Sequence, residues 1–197
     1  GLRARFIQMW RKVASRLRGL DMIAGYEVLS EPRVRDDAAA SRVSDFYALA
    51  CAAIAEVDAA TPCIVGPAPF YDRTRLESVL LSRANVIYHF NFFAPKGYAQ
   101  GGDSTRRYPG MMPCCEAHDK SRQLCCEGKC CDKQVSADAR LIEAELAPPL
   151  AFASRHRVPV LLDQWGVSRN AGPGREAYLQ DMLEALQRHR LGWAYWQ

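Results

Sequence analysis

No stretch of about 18 consecutive apolar residues occurs anywhere in the 197-residue chain, so the sequence offers no helix able to span a bilayer. Charge of one sign is lacking too. The 26 Lys and Arg stand against 22 Asp and Glu, a net +4, and the basic residues are scattered through helical segments instead of massed in a stripe with interleaved aromatics, which argues against a nucleic-acid partner. Neither a G-x-G-x-x-G nor a Walker-type phosphate loop follows any apolar run, so the nucleotide-binding doubly wound folds lose their main support. An initiator Met and a signal-like opening are missing as well. Gly1 already stands in an amphipathic pattern, from which a natural N-terminus upstream is expected, with nothing said about export. What is present is a chain 49% hydrophobic, with 13 Gly and 11 Pro. That composition supports one sizeable globular core and excludes disorder, collagen and coiled coil.

Cysteine is abundant and uneven. Six of the eight lie within eighteen residues, as pairs at Cys114 and Cys115, Cys125 and Cys126, Cys130 and Cys131, separated by nine and three residues. An even, clustered set in a polar segment reads as a disulfide-knit loop formed in an oxidising compartment, and six cysteines allow 15 pairings that sequence does not resolve. A bridge between adjacent cysteines is strained, so each pair is expected to reach outward. A zinc or iron–sulfur site is the rival, since thiolates are soft ligands, but paired C-x-x-C knuckles are absent. Cys51 and Cys63 flank a helix end and a strand start and are read as two buried free thiols.

Helix and strand signals alternate along the chain. Phe6, Trp10, Val13, Ala14 and Leu17 recur at helical spacing with Gly19 as a stop, which predicts a helix over 2–18. Met22 to Leu29 is a short apolar run ending at Ser30-Glu31-Pro32. Val43, Phe46, Tyr47, Ala50, Cys51, Ile54 and Val57 mark a long helix, broken at Thr61-Pro62, and Cys63 to Pro67 is a buried strand with a turn. A short helix from about Thr74 to Ser82 and a strand from Asn85 to Phe93 follow. Residues 94–134 are read as a long loop carrying the six clustered cysteines. Helix resumes from Ala137 to His156 with a kink or restart expected at Pro148-Pro149; then come a strand from Val158 to Trp165, a helix from Arg175 to Arg190 with Tyr178, Met182 and Leu186 on one face, and a closing strand, Leu191 to Trp196. Near-continuous apolar strands alternating with helices predict a parallel α/β sheet. Polar and aromatic residues sit where strands end, at Glu31, Asn91, Phe93, Gln164 and Trp196, as in a (β/α)8 TIM barrel.

These landmarks resemble the C-terminal part of a glycoside hydrolase family 5 domain, the cellulase-like barrels. Ile23 to Pro32 is similar to the family's strand 4, which ends Asn-Glu-Pro with Glu as acid/base; here Ser30, Glu31 and Pro32 stand in those places. Val86 to Pro95 resembles strand 6 with its Tyr-x-x-His-x-Tyr pattern: Tyr88 matches, while Asn91 takes the His place and Phe93 the second Tyr place. Val158 to Val167 resembles strand 7, where Gly-Glu-Phe-Gly carries the nucleophile; this chain reads Asp163-Gln164-Trp165-Gly166. Gly192 to Trp196 resembles strand 8, whose last Trp is a sugar platform, the place of Trp196.

The resemblance implies one partial domain over 1–197, running from helix 3 to strand 8 with about five strands and a Cys-rich insert at 94–134 after strand 6. A barrel needs about 250 residues and paired edges, so a truncated chain or an incomplete gene model is expected. It also implies hydrolysis of O-glycosyl bonds in a β-linked glucan, mannan or related glycoside, with an oligo- or polysaccharide or glycoside as partner, no cofactor, no metal, and export from the cell. Glu31 and Gln164 take the catalytic places, and Ser30, Tyr88, Asn91, Phe93 and Trp196 the substrate-binding ones. Retaining chemistry needs two carboxyls about 5–5.5 Å apart, one to protonate the leaving oxygen and one to attack. A neutral Gln amide is no anionic nucleophile, and Asn91 and Phe93 replace groups that would orient one. A carbohydrate-binding pseudoenzyme on the same barrel is therefore the alternative function, and display of the Cys-rich loop as a protein-interaction module a third.

Neighbouring residues carry less specific expectations. Asp163 is expected to face the helices unless a bulge intervenes. Glu27, sharing a face with Glu31, is expected deeper in the barrel, paired with an Arg or Lys. His89 is read as out of register with Asn91 and facing the helices. Trp165 reads as a core aromatic or a sugar contact, and Trp196 as a sugar contact by preference. Tyr71 and Tyr98 read equally as subsite lining and as packing.

Overall fold

The computed structural model describes residues 1–114 and 134–196. Helices α1 (Leu2–Leu17), α2 (Asp37–Ala55), the single turn α3 (Lys96–Ala99), α4 (Ala139–His156) and α5 (Arg175–Arg188) alternate with strands β1 (Tyr26–Glu27), β2 (Cys63–Val65), β3 (Val86–Phe92), β4 (Gly110–Pro113), β5 (Gln134–Ala137), β6 (Val160–Trp165) and β7 (Gly192–Tyr195). The main sheet has the hydrogen-bonded order β1-β2-β3-β6-β7, and β4 and β5 form a separate antiparallel pair. No helix among the described residues is long and apolar enough to cross a membrane. The chain divides into two compact units, Gly1–Phe90 with Ala151–Leu161, and Asn91–Leu150 with Leu162–Gln197.

In the first unit β1 runs parallel to β2 with Tyr26 opposite Cys63, and β2 parallel to β3 with Val65 opposite Tyr88. Strand β1 is much shorter than its apolar run because Ile23 bonds back to Leu20 in a turn; the ladder starts at Tyr26 N–H to Pro62 and ends at Val28 N–H to Ile64. Helix α1 lays Phe6 against Phe46 and Trp10 against Tyr26. Helix α2 starts at Asp36, whose carboxylate accepts the Ala39 N–H at 2.7 Å and so satisfies an orphan donor of the first turn. It buries Tyr47, Ala50, Cys51 and Ile54. The restart expected as one alternative at Pro148-Pro149 does not occur: α4 continues as one helix through both prolines. Asp138 accepts the Arg140 and Leu141 N–H groups at its start, and burial of Ile142, Leu146 and Phe152 offsets the two missing donors.

Cys51 and Cys63 are not free thiols but a disulfide. The last turns of α2 and the first residue of β2 bring their Cα atoms to 5.7 Å, inside the range a bridge spans. Sequence spacing alone carries no such distance.

In the second unit the segment 94–134, expected as one long loop, carries regular structure at both of its ends. Turn α3 follows β3, and β4 pairs with β5 from Gly110 opposite Ala137 to Pro113 opposite Gln134. Cys114 lies at the end of β4, buried and disulfide-bonded; Cys115, Cys125, Cys126, Cys130 and Cys131 lie outside the described residues. Helix α5 buries Tyr178, Met182 and Leu186 on one face, as its spacing predicts, together with Ala185. Tyr178 packs with Tyr98 and Tyr108, and each phenol finds an acceptor. Tyr178 donates to Ala94 C=O, Tyr98 to Gly172 C=O, and Tyr108 to Asp181 at 2.7 Å.

Two outcomes follow for the first unit. Replacing both Cys51 and Cys63 by Ala is expected to remove about 2–3 kcal/mol of stability, because the bridge closes a short loop in the unfolded chain; urea unfolding checks this, and an unchanged midpoint would refute it. The second concerns Asp58, buried between α2 and β2. Its carboxyl is held below the usual range by hydrogen bonding from Thr61 and from the Tyr26 hydroxyl at 2.8 Å, against the opposing effect of burial. A carboxyl lowered by folding stabilises above its unfolded pKa, and that contribution is lost as pH falls through the folded value. Asp58→Asn should therefore be less stable than wild type near pH 7, with the gap closing as pH drops below about 4; unfolding midpoints across that window decide it.

Candidate active site

Glu31 stands four residues past the end of β1, half-buried on a bend, with φ of 42°. Beneath its loop lies Tyr71. This fully buried phenol bonds the Leu29 carbonyl and lies 2.9 Å from Glu27 Oε1, with its ring centroid 3.9 Å from that of His89. Gly66 makes the insertion possible, since a Cβ there would run into the Tyr71 ring and the His89 imidazole. Tyr47 is buried in the same region. Burial, with the Glu27 charge adding to it, pushes both phenols above their ordinary pKa and keeps them neutral donors. Phe70 and Tyr71, like Glu31, have left-handed backbone, φ 55° and 58°. Three such residues in adjoining loops store strain of the kind concentrated at functional sites. Ser30, beside Glu31, is exposed.

Strand β3 corrects two readings. Residues two apart in a strand share a face, so His89 points to the same side as Asn91 and not to the helices. The structure buries it completely against Tyr71 and Gly66. Tyr88 points the other way. It is 1% exposed, its ring packs edge-on against Phe152 of α4, and its hydroxyl accepts the Leu81 N–H at 3.1 Å. Tyr88 is thus a packing residue between strand and helix and is not presented to a substrate. Glu27 has among its partners the Tyr71 hydroxyl, a group the expected Arg or Lys pairing did not include. Tyr71 and Tyr98 both resolve to packing, each fully buried.

In the second unit Asn91 is buried near the end of β3 and Phe93 is half-buried just beyond it. Phe93 meets Trp196 edge to face, centroids 5.9 Å apart, and Trp196 is 58% exposed, an aromatic surface with free area. Trp196 is held by its N–H to Trp165 C=O at 2.8 Å. Gln164, the penultimate residue of β6, and Asp163 before it are both half-buried. Trp165 is a core residue, buried against Trp193 and Tyr195.

Sequence reading missed Tyr47 and the anchoring part of Tyr71. The available signal was a Tyr on the apolar face of an amphipathic helix, together with Gly66 just after β2. It also passed over Arg33, whose guanidinium lies 5.2 Å from the centroid of the exposed Phe70 ring.

No curated protein matches this chain in sequence. Among solved structures, the chain is similar to cellulose synthase subunit Z from Clostridioides difficile, with TM-score 0.74 and 18% identity over 99% of this chain and 60% of that one. It is equally similar to endoglucanase Cel5A from Thermotoga maritima, with TM-score 0.75 and 17% identity over 99% of this chain and 58% of that one. The chain therefore spans about three fifths of the length of these proteins. At such identities the likeness establishes the fold, a (β/α)8 barrel of which the described residues carry five strands in the main sheet. The profile of cellulase (glycosyl hydrolase family 5) matches residues 2–197, and the chain belongs to that family.

Proposed function

We propose that the protein is a glycoside hydrolase acting on O-glycosyl bonds of a β-linked glucan, mannan or related glycoside, with Glu31 as its acid/base. The observation that carries this reading is the family match over 2–197 together with Glu31-Pro32 on the loop following β1, where the family's acid/base is found. Cel5A from Thermotoga maritima has structures with cellobiose and with mannotriose, which supports both glucan and mannan as candidate substrates. The acid protonates the leaving oxygen while an anionic partner attacks the anomeric carbon. Ser30, Asn91, Phe93 and Trp196 are assigned to substrate contact, with the exposed face of Trp196 stacking on a sugar ring. Export from the cell is proposed on the same footing, supported by the Cys51–Cys63 disulfide, since such bonds persist in oxidising compartments.

One residue favours a second reading. Gln164 in the nucleophile's place is neutral, so it neither attacks nor supplies the negative field that keeps the acid protonated. Carbohydrate binding without hydrolysis is the function that this substitution supports.

Kinetics on β-glucan and β-mannan oligosaccharides separate the two. Gln164→Glu is expected to raise or create turnover, and Glu31→Gln to abolish whatever turnover is present. A gain of about a hundredfold, or roughly 2.7 kcal/mol of barrier, fits a restored nucleophile that still lacks the partners replaced by Asn91 and Phe93. If the unaltered protein hydrolyses these substrates at an ordinary rate and Gln164→Glu slows it, the nucleophile lies elsewhere. If both proteins bind the sugars without turnover, the binding reading stands.

A further inference from the structure

The loops following β1 and β2 are locked together. Phe70 N–H donates to the Pro32 carbonyl at 3.3 Å, and Tyr71, the next residue, is anchored beneath Glu31 by its bond to the Leu29 carbonyl. With Tyr71 turned inward and both residues left-handed, the Phe70 ring is turned out and left 48% exposed. The ring thus stands half in solvent on a loop held by these two bonds, a flat apolar surface at the loop's edge.

Arg33 lies over that ring, its guanidinium carbon 5.2 Å from the centroid. The contact fixes the direction of a long side chain that would otherwise lose rotamer freedom on binding. Arg33 and Arg35 are exposed, and among the described residues neither has a carboxylate partner. The acidic residues around them are engaged. Asp36 caps α2, Asp37 pairs with Arg75, and Asp72 accepts the Thr74 N–H and hydroxyl. Glu31 too has partners. What the two loops leave available is an aromatic surface and a pre-oriented guanidinium fork with all five donors, on the same loop as Glu31. A planar fork of this kind matches a carboxylate in bidentate geometry.

We infer that Phe70 and Arg33 form a subsite for a saccharide unit bearing a carboxylate, such as a uronic acid residue of a β-linked chain, with the sugar's C–H face on Phe70 and its carboxylate on Arg33. This rests on the reading of the Glu31 loop as part of a saccharide site. It goes beyond that reading in naming an acidic sugar, whose carboxylate, brought to the loop of Glu31, needs a cation to offset the like charge.

The test is calorimetric binding of the full chain to two oligosaccharides matched in length and linkage, one neutral and one carrying a C6 carboxylate, in both gluco and manno series. Wild type is expected to bind the acidic member about tenfold more tightly at low salt, with the preference shrinking in about 0.5 M salt as screening sets in. Arg33→Ala should lose the preference and keep its affinity for the neutral member, while Phe70→Ala weakens both. Both positions are exposed, and circular dichroism checks that the variants fold. Equal wild-type affinity for the two members, or a preference that survives Arg33→Ala, overturns the inference and leaves the saccharide site standing. Failure to bind either member in either series overturns both.

Discussion

A buried phenol under the Glu31 loop is the constraint on which the rest of the candidate site depends. Tyr71 has one proton and two acceptors in reach, the Leu29 carbonyl and the Glu27 carboxylate, while its ring rests on His89 in the space Gly66 leaves empty. Left-handed backbone at a non-glycine residue costs on the order of 1–3 kcal/mol and persists only where the surroundings over-determine it. Here the surroundings are Tyr71's own bonds and the Phe70 N–H to Pro32 link, so the same contacts that hold the strain also hold Glu31 in place.

The charge distribution in this region follows from burial. Tyr47 and Tyr71 stay protonated because a phenolate would be desolvated beside Glu27, so they offer hydrogen bonds and no charge. The acidic residues of β1 and its following loop are Glu27, Glu31 and the α2 cap Asp36, while β6 carries Asp163 beside the neutral Gln164.

Much of the fold is legible because its signals are local. The spacing of Tyr178, Met182 and Leu186 gives the buried face of α5, and the apolar run from Val86 to Phe92 gives β3. What sequence misplaces is set by contacts remote along the chain. Strand β1 shrinks to Tyr26–Glu27 because only those residues find a parallel partner in β2. The disulfide depends on where α2 lands against β2, a matter of 5.7 Å that a separation of 12 residues does not specify. His89 is a different kind of miss, since the two-residue period of a strand already places it with Asn91. Of the candidate site, sequence offers Glu31, Gln164 and Trp196 through the family resemblance, and their roles stand as proposals. Tyr71, Phe70 and Arg33 are not legible there, because their arrangement is a product of two loops meeting.

The antiparallel pair of β4 and β5 has a consequence for how this protein can vary. Its four register positions, from Gly110 opposite Ala137 to Pro113 opposite Gln134, fix both the point where the chain leaves and the point where it returns. With the ends fixed, the closure entropy of whatever lies between grows only with the logarithm of its length, about 0.6 kcal/mol for each doubling. The ladder is thus a socket: segments of quite different length can be exchanged between Cys114 and Gln134 over evolutionary time at little cost in closure entropy, with the ladder keeping its register.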